Sequence, residues 1–286
     1  MIQSYSNRGY LRILSRRMDT SCQVFVIASL VLISITLTAC RDKGSMPANG
    51  ANASAAATSA PLKSNGIDPI LLFNGTGTSP NDVAAVGEIL NSNKLNYATV
   101  NSSQLNQMSE SRVRTYRLLI VPGGNFIDMG NSLTSSTTAN IRKAVQNGLN
   151  YLGICAGAFL AGDSGYYNSL NLTSGVRFSF YSGENQGIRK AAVAIAFPGE
   201  PTLDQYWENG PQFAGWGTIV AKYPDGTSAI VEGEFGGGWV VLTGVHPEAP
   251  EGWRRGMTFT TSARVDNAYA VTLIQAALNR TPLPHY

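Results

Sequence analysis

Histidine and cysteine are scarce in this chain, with two of the first and three of the second among 286 residues. So few thiols exclude a disulfide-stapled scaffold. One well-placed histidine and one thiol are also too few ligands for a zinc centre unless a carboxylate completes it, so no metal is expected. Charge is sparse too, at 14% of residues. The basic excess sits at the N-terminus, where Arg8, Arg12, Arg16 and Arg17 face Asp19 alone, and the rest of the chain is balanced. Nucleic-acid binding needs a concentrated basic face, and none is legible. There is no Walker-type phosphate loop: "FNGTGTS" (73–79) lacks the lysine and the spacing, and reads as a strand-end loop near a site. No cofactor is expected. What the chain does have is glycine, 30 residues, and a 43% hydrophobic content. That composition is globular.

The longest apolar run, "VFVIASLVLISITL" (24–37), falls short of the roughly 20 residues of a membrane span. Arg16-Arg17 precede it and Thr38-Ala39-Cys40 follow it, the order of a secretory signal peptide. The ending "LTAC" resembles the lipobox of bacterial lipoproteins, in which the cysteine is lipidated and becomes the first residue of the mature chain. The resemblance implies a signal peptide over 1–39, lipidation at Cys40 and attachment to a membrane without spanning it. It places the protein in the bacterial envelope, with Arg41 leaning towards the outer membrane and the periplasm. An ordinary signal peptide or an uncleaved anchor is the alternative, and Met18 is an alternative start. Residues 41–66 are almost wholly Ala, Ser, Asn, Gly and Pro, so 40–66 is expected to be a lipidated cysteine and a flexible tether. Cys22 would leave with the signal peptide. Cys155 then remains as the lone free thiol of an exported chain.

From residue 67 short apolar runs alternate with helical stretches. Strands are predicted over 69–74, 96–100, 116–124 and 150–155, and helices over 79–90, with Ser79 as N-cap and Pro80 first, and over 133–148. This alternation predicts an α/β fold with a mostly parallel sheet flanked by helices. After about residue 170 the chain becomes strand-rich, in antiparallel hairpins, and closes with a helix over 267–279. Residues 67–286 are expected to form one domain.

Sites in such sheets lie at the carboxyl ends of the strands, where "PGG" (122–124) and Cys155 both fall. In "GICAGA" a cysteine follows a strand and opens a helix, between Gly153 and Gly157. Small neighbours are what a crowded strand-to-helix turn needs around a nucleophile, and a helix start favours a thiolate. A packed, inert thiol is the competing reading. A general base must come from His246 or His285. His285 lies in "PLPHY", at an end expected to fray. His246 precedes Pro247 and should be extended, which turns Glu248 to the same side. Cys155, His246 and Glu248 thus suit nucleophile, base and orienting acid. The amides of Ala156 and Gly124 are candidate oxyanion donors, with Gly123 as the alternative to Gly124.

"LLIVPGG", "NYLGICAGAFLAG" and "VVLTGVHPE" together resemble the class I glutamine amidotransferase-like superfamily. They resemble most the branch found at the N-terminus of eukaryotic biotin–protein ligases and as free-standing bacterial proteins. "FYSGENQG" (180–187) and "YWENGPQF" (206–213) resemble two further segments of that branch. The resemblance spans about residues 68–280. It implies a flavodoxin-like fold with a Cys–His–Glu triad at Cys155, His246 and Glu248, an oxyanion hole at Gly124 and Ala156, and substrate contacts at Tyr206 and Asn209. No synthetase domain to receive ammonia is legible in the chain, and an exported protein lacks ATP. The expected activity is therefore a cysteine hydrolase, amidase-like, acting on a small-molecule or peptide-like amide or an ester through an acyl-thioester. The competing readings are a ligand-binding or redox-sensing module that keeps the fold, and a structural envelope lipoprotein.

Overall fold

A computed structural model describes residues 69–286, all within one compact unit. The expected signal peptide (1–39), Cys40 and the expected tether lie outside the described residues. The strands are β1 (Ile70–Phe73), β2 (Tyr97–Val100), β3 (Leu118–Val121), β4 (Asn150–Ile154), β5 (Ser179–Phe180), β6 (Lys190–Phe197), β7 (Glu200–Glu208), β8 (Pro211–Gln212), β9 (Thr218–Lys222), β10 (Ser228–Phe235) and β11 (Gly238–Thr243). The helices are α1 (Pro80–Ser92), α2 (Ser102–Asn106), α3 (Glu110–Val113), α4 (Phe126–Ser132), α5 (Ser135–Gln146), α6 (Ala156–Ala161) and α7 (Ala263–Asn279).

Nine strands form one sheet in the order β2-β1-β3-β4-β11-β10-β9-β6-β7. From β2 to β11 every neighbouring pair is parallel, and from β11 to β7 every pair is antiparallel. The 2-1-3-4 order is that of flavodoxin-like sheets, which place ligands where the chain reverses direction between β1 and β3. Strands β1, β3 and β4 are buried along their whole length, because helices cover both faces. Their side chains alternate between two cores. Leu71, Leu119 and Tyr151 pack with Ile141 and Ala144 of α5 on one face. Ile70, Leu118 and Leu152 pack with Val86 and Leu90 of α1 and Leu273 and Ile274 of α7 on the other.

The sequence placed these elements well and their ends less well. Ser79 caps α1 with Pro80 at its first position, as expected. The helix expected from residue 133 begins at Ser135, because the Thr134 side chain accepts from Thr137 N–H and caps it there. A separate helix, α4, precedes it, with Asn125 as its cap. Helix α7 starts at Ala263, four residues before the expected start, with Ser262 as N-cap. The stretch after Gly175 pairs only at Ser179–Phe180, with β8. The C-terminus does not fray. Glu232, buried in β10, accepts from the Leu283 amide at 2.8 Å, and Tyr286 N–H donates to Ile219 O at 2.9 Å. Among the described residues no helix is long and apolar enough to cross a membrane.

Candidate active site

Cys155 joins β4 to α6 at φ 48°, ψ −102°. A non-glycine residue there is strained, at a typical cost of about 1–3 kcal/mol, and persists only where its surroundings hold it. The holding groups are visible. Cys155 N–H donates to Thr243 O at 2.8 Å, and Tyr151 OH donates to Gly157 O at 2.7 Å. Both flanking glycines are required by space. A Cβ on Gly157 would stand 2.0 Å from Val121 O, and one on Gly153 would stand 2.7 Å from the Gly157 carbonyl carbon. The short helix can therefore rest directly on the ends of β3 and β4. The thiol points under β7, where it donates to Glu208 O at 3.4 Å, and Cys155 is 5% exposed.

Strand β11 lies beside β4, with Thr243 opposite Ile154, and so carries His246 to the same end of the sheet. Past Thr243 the chain bends, the Thr243 hydroxyl donating to Val245 O at 3.0 Å and accepting from Val245 N–H at 3.2 Å. His246 N–H then donates to Tyr206 O at 2.7 Å. In the side chain, Nδ1 lies 2.9 Å from Glu248 Oε1. Residues 246–249 form a turn and not the expected extended segment, Ala249 N–H donating to His246 O at 3.1 Å, and this turn brings the expected Glu248 against the ring, buried rather than solvated. Burial works against a charged His246. The charges of Glu248 and Cys155 and a hydrogen bond with Asp82 outweigh it, and hold the imidazole well above its usual range. Burial raises Glu248 above the ordinary carboxylate range, although the His246 charge opposes the shift.

Asp82 is the residue that sequence reading missed. It occupies the first turn of α1, and its Oδ1 lies 3.1 Å from His246 Nδ1, buried like its partner. Burial would raise it, but hydrogen bonding and charge from His246, with help from Ser79, bring it below the ordinary range. An acid three residues after a serine N-cap reads as a capping residue, which is why "SPND" gave no other signal. Asp82, His246 and Glu248 each place a ligand-type atom within 4.8 Å of the others, a grouping that could hold a cation. The expectation of too few ligands had not counted this pair of acids.

The turn after β3 faces the elbow. Gly124, at φ 143°, is bridged to Thr78, and a Cβ on it would stand 2.1 Å from Gly77 O. The glycine-rich loop after β1, expected to lie near a site, therefore packs against this turn. The amides of Gly124 and Ala156 donate to no backbone acceptor among the described residues. Tyr206 reaches the imidazole: its ring stands edge-on to His246 at 5.8 Å, and its hydroxyl donates to Glu208. Trp253, not foreseen, packs beside both rings, 6.0 Å from His246 and 5.6 Å from Tyr206. Asn209 follows Glu208 at φ 48°, and its N–H donates to Arg189 O at 2.9 Å. With its amide nitrogen facing Glu184, the side chain donates to Glu184 Oε2 at 2.7 Å and to Arg189 O at 3.1 Å. His285 sits apart, its Nδ1 3.2 Å from Leu283 O.

Residues 68–194 match the family described as biotin-protein ligase, N terminal. The match covers under half of the chain, and with the fold it supports the superfamily that the sequence motifs resemble. An uncharacterized protein of Chlamydia muridarum is 28% identical over 159 residues, which are 47% of this chain and 61% of that protein. The aligned region thus spans less than two thirds of that relative's length. A solved structure of a glutamine amidotransferase superposes with a TM-score of 0.48 at 19% identity, over 63% of this chain and 90% of its own. A glutamine amidotransferase from Thermotoga maritima superposes with a TM-score of 0.49 at 11% identity, over 73% and 97%.

Proposed function

We propose that the protein is a cysteine hydrolase, amidase-like, acting on a small-molecule or peptide-like amide or on an ester. The single observation that carries the reading is the backbone of Cys155, a strained non-glycine turn built between two glycines at the end of the strand beside the one that leads to His246. In this reading His246 accepts the thiol proton while Glu248 holds the ring. The sulfur attacks the carbonyl carbon, and the amides of Gly124 and Ala156 receive the developing oxyanion. His246 returns the proton to the leaving amine or alcohol as the C–N or C–O bond breaks. Water, deprotonated by His246, then cleaves the thioester, releasing the acid and restoring the thiol. Tyr206, beside the ring, and Asn209, at the end of β7, are the proposed substrate contacts.

The test is alkylation by iodoacetamide, followed at Cys155 by peptide-resolved mass spectrometry across a pH series. A rate at neutral pH that drops at least tenfold in His246→Ala supports the nucleophile. A rate indifferent to His246 removes it. The second reading, a ligand-binding or redox-sensing module, is favoured by the burial of the thiol beneath Glu208. It predicts slow alkylation together with oxidation of Cys155 by peroxide.

The same proposal places the protein in the bacterial cell envelope, anchored through lipid on Cys40 and facing the periplasm from the outer membrane. The "LTAC" ending supports it. Incorporation of a tagged palmitate that disappears in Cys40→Ala, and fractionation with the outer membrane, would bear it out. An unlabelled chain would remove it.

A further inference from the structure

Two carboxylates converge on one ring nitrogen. Glu248 Oε1 lies 2.9 Å and Asp82 Oδ1 lies 3.1 Å from His246 Nδ1. That nitrogen carries at most one proton, so it cannot fully satisfy both acceptors. Both acids are shielded from water, Asp82 at 6% and Glu248 at 2% exposure; Glu248 Oε2 has no hydrogen-bond donor, and Asp82 Oδ1 has none besides the His246 Nδ1 that Glu248 already engages. Buried charges of one sign are costly unless a charge of the other sign sits among them. Among the described residues, the cation that contacts both acids is the imidazolium of His246.

The approach of Asp82 is built rather than incidental. Ser79 caps α1 and fixes the turn that carries it. Gly123 clears its path: a Cβ there would stand 2.1 Å from Asp82 Oδ1 and 2.7 Å from His246 Cε1. Gly123 is not among the positive-φ glycines, so space and not backbone freedom requires it. The first glycine of the "PGG" turn thus has a role separate from that of the second.

We propose that Asp82 is a second orienting carboxylate for His246, a positioning residue that holds the ring from the α1 side and keeps the proton on Nδ1. Its value to chemistry rests on the reading of Cys155 as a nucleophile. Its effect on the ring does not. The titratable groups around the ring are Asp82 from α1, Glu248 from its own loop, Cys155 from the elbow, and Tyr206 and Glu208 from β7.

The test is the titration of His246 in the detergent-solubilised full chain, labelled with 13C at histidine Cε1 and read by NMR, with His285→Gln assigning the two signals. In the wild type the ring is expected to titrate above the usual value of about 6.5. Asp82→Asn is expected to lower its midpoint by about 1 pH unit or more, with partial recovery in Asp82→Glu. Gly123→Ala adds no charge and displaces the carboxylate, so it should lower the midpoint as well, and it serves if Asp82→Asn does not fold. A midpoint unmoved in a folded Asp82→Asn or Gly123→Ala protein overturns the inference. Stoichiometric zinc or manganese on elemental analysis, lost in Asp82→Asn, overturns it in favour of a metal centre. Alkylation of Cys155 in the same samples separates the two ideas. If His246→Ala leaves alkylation unchanged while Asp82 moves the midpoint, the nucleophile reading fails alone. The converse result removes Asp82 alone.

Discussion

The backbone amide of Cys155 donates to the carbonyl of Thr243, at 2.8 Å. That one bond ties the elbow at the end of β4 to the last residue of β11, three residues before His246. Thiol and imidazole are therefore set by neighbouring parallel strands and not by a long excursion of either chain segment. Strand ends are more rigid supports than free loops, so the spacing of the two side chains is fixed by sheet register.

The strain at Cys155 gives a stability prediction independent of any substrate. Glycine normally weakens a fold relative to alanine. At φ 48° the order should reverse, with Cys155→Gly more stable than Cys155→Ala by about 1 kcal/mol or more. Urea unfolding of the two variants measures it. An alanine variant that is the more stable would mean that the elbow is not strained.

Close contact beneath the elbow gives a second. Gly157→Ala forces a methyl against the Val121 carbonyl. A loss of about 1–3 kcal/mol is expected from such overpacking, together with slower alkylation of Cys155 as the helix is pushed off its seat. Gly175 has open space around its Cβ position. It is nonetheless a poor control because its φ is 89°. Gly165, with neither constraint, should accept alanine within about 0.5 kcal/mol.

The orienting acid can be tested apart from the base. Glu248→Gln keeps the shape and removes the charge, so alkylation at neutral pH should fall by about 10-fold or more, with the fold intact by circular dichroism. An unchanged rate would leave Glu248 as a packing residue only.

A pH prediction comes from α7, on the same face of the sheet as α1. Asp266, in the first turn of α7, is pushed up to about 6 by burial, which outweighs the Thr261 hydrogen bond and the Arg254 charge 3.0 Å away. Its carboxyl in the unfolded chain titrates near 3.9. The folded state then holds the proton more tightly, so this group's contribution is greatest below about pH 4 and declines as pH rises towards 6. Asp266→Asn should lack that decline when unfolding free energies are compared from pH 4 to 7. A wild type that instead gains stability relative to the variant over that window would contradict it.

Much of this was legible beforehand, and the reason is periodicity. Continuous apolar runs at 70–73, 118–121 and 150–154 announced strands covered on both faces, and "GICAGA" and "VHPE" marked their functional ends. The pairing of Glu248 with His246 was expected from the alternation of an extended chain, whereas a turn over 246–249 brings it about. Helix starts were read less well, because Thr134 and Ser262 cap through side-chain contacts among several equally eligible hydroxyls. Asp82 was out of reach for a deeper reason. It meets His246 across 164 positions of sequence, through a contact that depends on how α1 lies against β3. Trp253 was hidden in the same way, on a loop whose direction no local pattern sets.

The hydrogen bond from His246 to Tyr206 has a consequence for dissection of the molecule. The portion that matches the biotin-protein ligase family stops at residue 194, inside β6. It holds the thiol, both facing amides and Asp82, whereas the imidazole and its second acid arrive from beyond the β6–β7 hairpin. A cut at the exposed Gly199 turn would yield one fragment carrying a sulfur without a base and another carrying a base without a sulfur. Neither half should react rapidly alone, and mixing them would make the alkylation rate of Cys155 a direct gauge of reassembly.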